Sequence, residues 1–157
     1  MKCIVFSDTH GNYPLAIEVL SHTDPADMIF HLGDEAEDAS MIESICQTKV
    51  QKVAGNCDPP GEFPREISTL VGETRVLLTH GDRYSVKSGL AKLLERAVTT
   101  EADVVLYGHT HQASIERINN ILFVNPGSLL RGSSSKSYAV LKIEAHQVEA
   151  QIVMLEE

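Results

Sequence analysis

Seven side chains in this sequence have the types and spacing of ligands for divalent cations. Asp8 and His10 stand two apart after the apolar run "CIVF", and His109 and His111 stand two apart in "GHTH" after "DVVLY". On an extended strand, residues i and i+2 project from the same face, so each pair can aim two donors at one point. Three further apolar runs close on a donor: "DMIFHLGD" on Asp34, "KVQKVAGN" on Asn56 and "TRVLLTHGD" on His80. Ligands in open α/β sheets gather beyond the carboxyl ends of strands. Five strand ends therefore deliver two carboxylates, one amide and four imidazoles to one rim. This N and O donor set contains no thiolate. It suits Mn2+, Fe2+, Ni2+, Co2+ or Zn2+ rather than a cysteine-based structural site. Seven donors exceed what one ion with an open position needs and match two ions that share a bridging carboxylate.

The elements that must carry these donors follow from the apolar pattern. "KCIVFSD" opens as a buried strand, and a helix follows with Asn12 as N-cap, Pro14 in its first turn and Leu15, Val19 and Leu20 on one stripe. Residues 27–34 and 49–56 read as two more strands, separated by a short helix over 39–46. "CDPPGEFP" is a loop, and "EISTLV" and "TRVLLTHGD" form a hairpin around Gly72 and Glu73. The spacing of Val86, Leu90, Leu93, Leu94 and Ala97 predicts a helix over 86–98, followed by the strand "DVVLYGHTH". The remainder reads as a β-meander: "ASIERI", an Asn119-Asn120 turn, "ILFVNPG", the loop "GSLLRGSSSK", then "SYAVLKIE" and "QVEAQIVML". This order predicts an α/β fold: an α/β/β/α sandwich of two mixed β-sheets flanked by helices, in one domain spanning residues 1–157.

Charge and cysteine usage bound the function. A net charge of −9 argues against a broad nucleic-acid surface or an anionic membrane as partner. No segment approaches the ~20 apolar residues of a membrane span. Cys3, Cys46 and Cys57 are odd in number and sparse, which fits reduced thiols and a cytoplasmic location. Any phosphate must then be met by local positive charge. Two divalent ions carry four positive charges against the two negative charges of Asp8 and Asp34, so such a site stays electropositive within an acidic protein.

"DTH" at 8–10, "GD" at 33–34, "GNCD" at 55–58, "THGD" at 79–82 and "GHTH" at 108–111 resemble the calcineurin-like metallophosphoesterases, in particular their small YfcE-type phosphodiesterase branch. The resemblance extends to "NPGS" at 125–128 and "SYAVL" near the end, and so covers nearly the whole chain. It implies that Asp8, His10 and His111 hold one ion and Asn56, His80 and His109 the other, with Asp34 bridging. Mn2+ is the first expectation for both ions. The implied activity is a phosphodiesterase that cleaves a small phosphate ester by in-line attack of a hydroxide shared between the ions. Asn56, Cys57 and His109 are the expected substrate contacts, with Cys57 and Asp58 as catalytic candidates. Many relatives carry histidine where this chain has Cys57, and a thiol with an ordinary pKa near ~8.5 donates a proton poorly. Homo-oligomers, dimers or tetramers, are a further expectation from the resemblance.

Plainer readings stand beside these. Arg131, on the Ser-rich loop, is a candidate contact for a substrate phosphate, set against the reading of a surface arginine. His31 reads as a satisfied core histidine, Cys3 and Cys46 as small core residues. His22 and His146 fall at a helix end and a turn, and "DEAED" beyond Asp34 reads as solvated loop. Two alternatives to the diesterase remain: a phosphomonoesterase or nucleotidase using the same ions, and a non-catalytic protein-binding scaffold like the retromer subunit of this fold. Retention of all seven ligand types weighs against the scaffold.

Overall fold

Period-two alternation in the first strand decides the layering of the molecule. The computed structural model describes residues 1–156. In β1 (Lys2–Phe6), Cys3 and Val5 face one way and Ile4 and Phe6 the other, and all four are fully buried. A strand covered on both faces must be apolar on both, which is why "CIVF" shows no polar alternation. Ile4 and Phe6 pack with Ala16 and Val19 of α1 (Tyr13–His22) and with Ala39 and Ile42 of α2 (Ala36–Cys46). Cys3 and Val5 pack instead against a second sheet.

The first sheet runs β10-β9-β1-β2-β3. Its members are β2 (Met28–His31), β3 (Val50–Lys52), β9 (Lys136–Glu144) and β10 (Gln147–Leu155) beside β1, with β1, β2 and β3 mutually parallel and β9 and β10 antiparallel additions. The second runs β4-β5-β6-β8-β7, built from β4 (Glu66–Val71), β5 (Thr74–Thr79), β6 (Val104–Leu106), β7 (Ser114–Ile118) and β8 (Ile121–Asn125). In it β5, β6 and β8 are parallel, with β4 and β7 antiparallel at the two edges. Val76, Leu78, Val104, Leu106, Leu122 and Val124 turn inward to the shared core. Leu77, Val105 and Phe123 turn outward onto Leu93 and Ala97 of α3 (Ala91–Thr99). Each fully buried side chain of this size contributes roughly 1.5–3 kcal/mol, so three stacked apolar layers fix the sheets face to face. The architecture is the expected α/β/β/α sandwich of two mixed sheets and three helices.

Several local expectations change. The stripe from Val86 is not one helix: two single turns, Asp82–Tyr84 and Val86–Ser88, precede Gly89 at φ 128°, and α3 starts only at Ala91. Val86 is still buried, so the apolar spacing recorded packing rather than continuous helix. The closing meander is split. β7 and β8 belong to the second sheet, and residues 126–135 then cross to the first, where β9 pairs with β1. Asn12 does not cap α1 with its side chain; its amide donates to Leu129 O at 2.7 Å. "DEAED" is solvated loop only in part, since α2 begins at Ala36 and Asp38 is buried. Among the described residues, no helix is long and apolar enough to cross a membrane.

Candidate metal centre

The donors do not ride on strands. β1 ends at Phe6, β2 at His31 and β6 at Leu106, so Asp8, His10, Asp34, His109 and His111 all lie in the loops beyond. These five residues have left-handed backbone, with φ between 44° and 73°. Same-face projection from an extended strand is therefore the wrong reason for the two-residue spacing. Tight left-handed turns fold each loop back so that both donors reach inward, a conformation that Asp and His adopt more readily than most side chains.

The two carboxylates share one design. Asp8 Oδ2 accepts hydrogen bonds from Ser7 Oγ at 2.6 Å and His109 N–H at 3.0 Å, while its Oδ1 has no partner among the described residues. That buried oxygen lies 3.1 Å from His111 Nε2, 3.7 Å from His80 Nε2 and 3.9 Å from His10 Nε2. Asp34 Oδ1 accepts the Cys57 N–H at 2.9 Å, and its Oδ2 faces His80 Nε2 at 3.3 Å and His10 Nε2 at 3.9 Å. In each carboxylate one oxygen is tied and one is aimed at imidazole nitrogens. Two glycines make room for this: a Cβ at Gly55 would overlap Asp34 Oδ1, and one at Gly108 would overlap Ser7 Oγ and Asp8 Oδ2.

The histidines complete two donor groups, Asp8 with His10 and His111, and Asp34 with His80 and His109. His80 Nδ1 donates to Leu32 O at 2.7 Å, which turns the lone pair of Nε2 toward the carboxylates. A backbone carbonyl behind a ligating imidazole is the usual way its tautomer is fixed. His109 Nδ1 lies 3.3 Å from that same Nε2, so two ring nitrogens converge on one point. His10 Nε2 is buried without a hydrogen-bond partner among the described residues. Unpartnered buried acceptors are costly. A set of them converging from carboxylates and imidazoles fits divalent cations, whose charge satisfies all at once.

Burial opposes charge on Asp8, but the adjacent imidazoles of His111 and His80 and the bond from Ser7 hold it below the usual carboxylate range. Asp34 is likewise held down, against burial, by the His80 ring that faces it and by the Cys57 N–H. His80 is raised despite its burial, because Asp34 and Asp8 both face it. His109 is lowered, by burial first and then by His80. The candidate centre is thus negative and preorganised, as a cation site requires.

The remaining motif residues take their places around it. Asp58 is buried and accepts three backbone N–H groups, from Asp34, Gly55 and Ala36, at 3.0, 2.7 and 2.8 Å. It holds the Asp34 turn against the Gly55 loop. Asn56 and Cys57 are exposed on that loop, with Asn56 Nδ2 donating to Cys57 Sγ at 3.6 Å. Arg131 is exposed, and its guanidinium lies with Glu35 beside Gly11, next to His10. "NPGS" supports two donor loops. Asn125 Nδ2 donates to Gly108 O and Thr110 Oγ1, while Ser128 Oγ donates to Asp8 O at 2.8 Å. Sequence reasoning missed the network beneath His10: Thr9 Oγ1 contacts His31 Nε2 at 2.9 Å and donates to Asp38 Oδ2 at 2.6 Å, which also accepts Gly11 N–H. His31 Nδ1 accepts Gly33 N–H, so the ring is satisfied on both sides, as expected of a core histidine.

With this geometry in view, likeness to known proteins becomes informative. Residues 1–146 match the calcineurin-like phosphoesterase superfamily domain, and the chain belongs to that superfamily. It is 33% identical over 149 residues to the probable metallophosphoesterase YsnB of Bacillus subtilis, covering 92% of this chain and 85% of that one. It is 29% identical over 168 residues to the phosphodiesterase YfcE of Escherichia coli K12, covering 90% of this chain and 87% of the other. Among solved structures, a conserved Streptococcus pneumoniae protein described as a predicted phosphoesterase superposes with TM-score 0.83 at 30% identity, covering 98% of this chain and 88% of that chain. Vps29 of Entamoeba histolytica shares the fold, with TM-score 0.76 at 18% identity over 99% of this chain and 100% of that chain.

Proposed function

We propose that this metallophosphoesterase is a two-metal phosphodiesterase acting on small phosphate esters. The observation that carries the reading is the pair of carboxylates that each keep one oxygen tied and turn the other, with four imidazoles, toward two adjoining cation sites. Asp8, His10 and His111 would hold one ion, Asn56, His80 and His109 the other, and Asp34 both. Its Oδ2 faces a histidine of each group. When bound, such ions supply Lewis-acid charge for a phosphoryl group and lower the pKa of a water; Mn2+ is the proposed metal.

The chain's own groups do the rest. The His80 ring is fixed from behind by Leu32 O, so its position does not depend on substrate. Asn56, Cys57 and His109 would contact the ester, and the Arg131 guanidinium, beside Gly11, would meet it from the His10 side. In the metal-free protein, partial desolvation and then the charges of Asp34 and Asp58 push the exposed Cys57 thiol up. A weak acid there assists good leaving groups adequately and alkoxides poorly. Asp58 acts as a positioning residue for Asp34. The three free cysteines fit a cytoplasmic setting. A matched set of phosphate diesters and monoesters assayed with Mn2+, Ni2+, Co2+ and Zn2+ tests the proposal. Turnover of nitrophenyl diesters above monoesters is expected; metal loading with no turnover of either would remove it.

A further inference from the structure

Three of the chain's six arginines meet outside the metal centre. Arg65, Arg83 and Arg96, with Glu66, Thr79 and Tyr84, line a cavity of about 330 Å³. Two of the guanidiniums are held in place. Arg96 Nε and Nη2 donate to Glu66 Oε2 at 2.9 and 2.6 Å, and the Tyr84 hydroxyl donates to the other oxygen of that carboxylate. Arg65 Nη1 donates to Gly55 O at 2.9 Å and its Nη2 to Asp82 Oδ2 at 3.2 Å. Arg83 is exposed and, among the described residues, makes no ion pair.

Exposed arginine–carboxylate pairs contribute only ~0–1 kcal/mol to stability. Here three guanidiniums face two carboxylates, so the pocket keeps positive charge within a chain of net charge −9. Its lining residues adjoin the donor loops along the chain. Thr79 precedes His80, and Arg65 holds the carbonyl of Gly55, the residue before Asn56. Guanidinium groups present planar forks of donors that match phosphate oxygens. Holding two of them beforehand reduces the ordering cost of binding.

We propose that this arginine pocket binds a second phosphate carried by the substrate, so that the preferred substrate is a phosphodiester with an additional phosphate on one arm. The inference rests on the phosphodiesterase reading of the adjoining centre. The test has two arms. In the first, inorganic phosphate is titrated into metal-free protein by calorimetry, where the carboxylate-rich metal centre repels the anion. Arg83→Gln should bind at least about tenfold more weakly than wild type, and Arg83→Lys should fall between them. Equal affinity in all three folded proteins, checked by circular dichroism, overturns the pocket. In the second, a series of para-nitrophenyl alkyl phosphates of increasing arm length is compared with the same diesters carrying a terminal phosphate. The ratio of kcat/KM for phosphate-bearing over plain substrates should exceed one in wild type and drop about tenfold in Arg83→Gln. A ratio that no arm length raises, or that the substitution leaves unchanged, overturns the substrate assignment. Arg83-dependent phosphate binding with no hydrolysis of any ester would instead sink the phosphodiesterase reading, and the substrate assignment with it.

Discussion

Asp34 turns a single oxygen toward the metal centre, and that oxygen faces a histidine of each donor group. In Asp34→Asn the amide oxygen can keep the Cys57 N–H, but an NH2 then points at the imidazoles and the shared charge is gone. Turnover should fall to background and bound Mn2+ below one ion per chain, with the circular dichroism spectrum unchanged; near wild-type turnover at limiting Mn2+ would deny Asp34 its shared role. Cys57 is a different case, because its thiol is exposed and only its backbone N–H fastens Asp34. Cys57→Ala should lower nitrophenyl diester turnover less than about tenfold, below the ~10²–10⁴-fold of a principal general acid. His109→Ala should remove turnover. Equal damage from the two at full metal occupancy would make the thiol a principal catalytic group. A methyl at Gly108 overlaps both Ser7 and Asp8, so Gly108→Ala should destabilise the fold by ~1–3 kcal/mol and weaken Mn2+ binding in the same sample.

Between β2, the Asp8–His10 turn and α2, the chain His31–Thr9–Asp38 links three elements under the metal centre. Burial pushes His31 down to about 4, below the ordinary value of 6.5. The unfolded chain therefore binds more protons between those values, and stability rises with pH across the window. The stabilisation is complete above about 6.5 and is lost as pH falls toward about 4, on the order of 3 kcal/mol at full extent. In urea melts of metal-free protein, His31→Gln should flatten the slope between those limits; an identical slope would show that His31 does not carry it. The layers are legible in the apolar runs themselves, because a strand covered on both faces has to be apolar on both. The donors are legible as types for a similar reason: carboxylates and imidazoles at strand ends have few other uses in that number. Their backbone is not. Left-handed φ at His109 or His111 leaves no compositional trace in residues that also live in ordinary turns. Gly89 interrupts the Val86 stripe, yet the apolar spacing continues across it because Val86 packs without being in the helix. Asp38 reads as solvated because a buried carboxylate inside an acidic run differs from its neighbours only by its partners.

At the scale of the whole molecule, the two sheets meet at the rim through their loops. Asp8 and His10 follow β1 of the first sheet while His111 follows β6 of the second; Asp34 follows β2 while His80 and His109 follow β5 and β6. Binding to the folded chain alone raises stability by ~2.7 kcal/mol per site at a hundredfold excess over Kd. Saturating Mn2+ should raise Tm, and a chelator should return it to the metal-free value. No change in Tm on loading would mean that these loops do not hold the ions.

Because each donor group draws from both sheets, an ion in either one is a cross-link between the two halves of the sandwich. A cross-link of this kind closes long loops of sequence, from residue 8 to 111 in one group and from 34 to 109 in the other. Its ligands come together only when the sheets are already packed, late on the folding path, so loading should act mainly on the rate of unfolding and little on the rate of folding. The metal-loaded protein should therefore resist a protease for far longer than its gain in equilibrium stability would suggest when cleavage outpaces reclosing. Amides at the rim end of β5 and β6 should exchange hydrogen more slowly with the ions in place than those at the opposite end of the same strands. The rim would then serve as a lock on the sandwich as well as a place for chemistry, with its durability set by the metal supply.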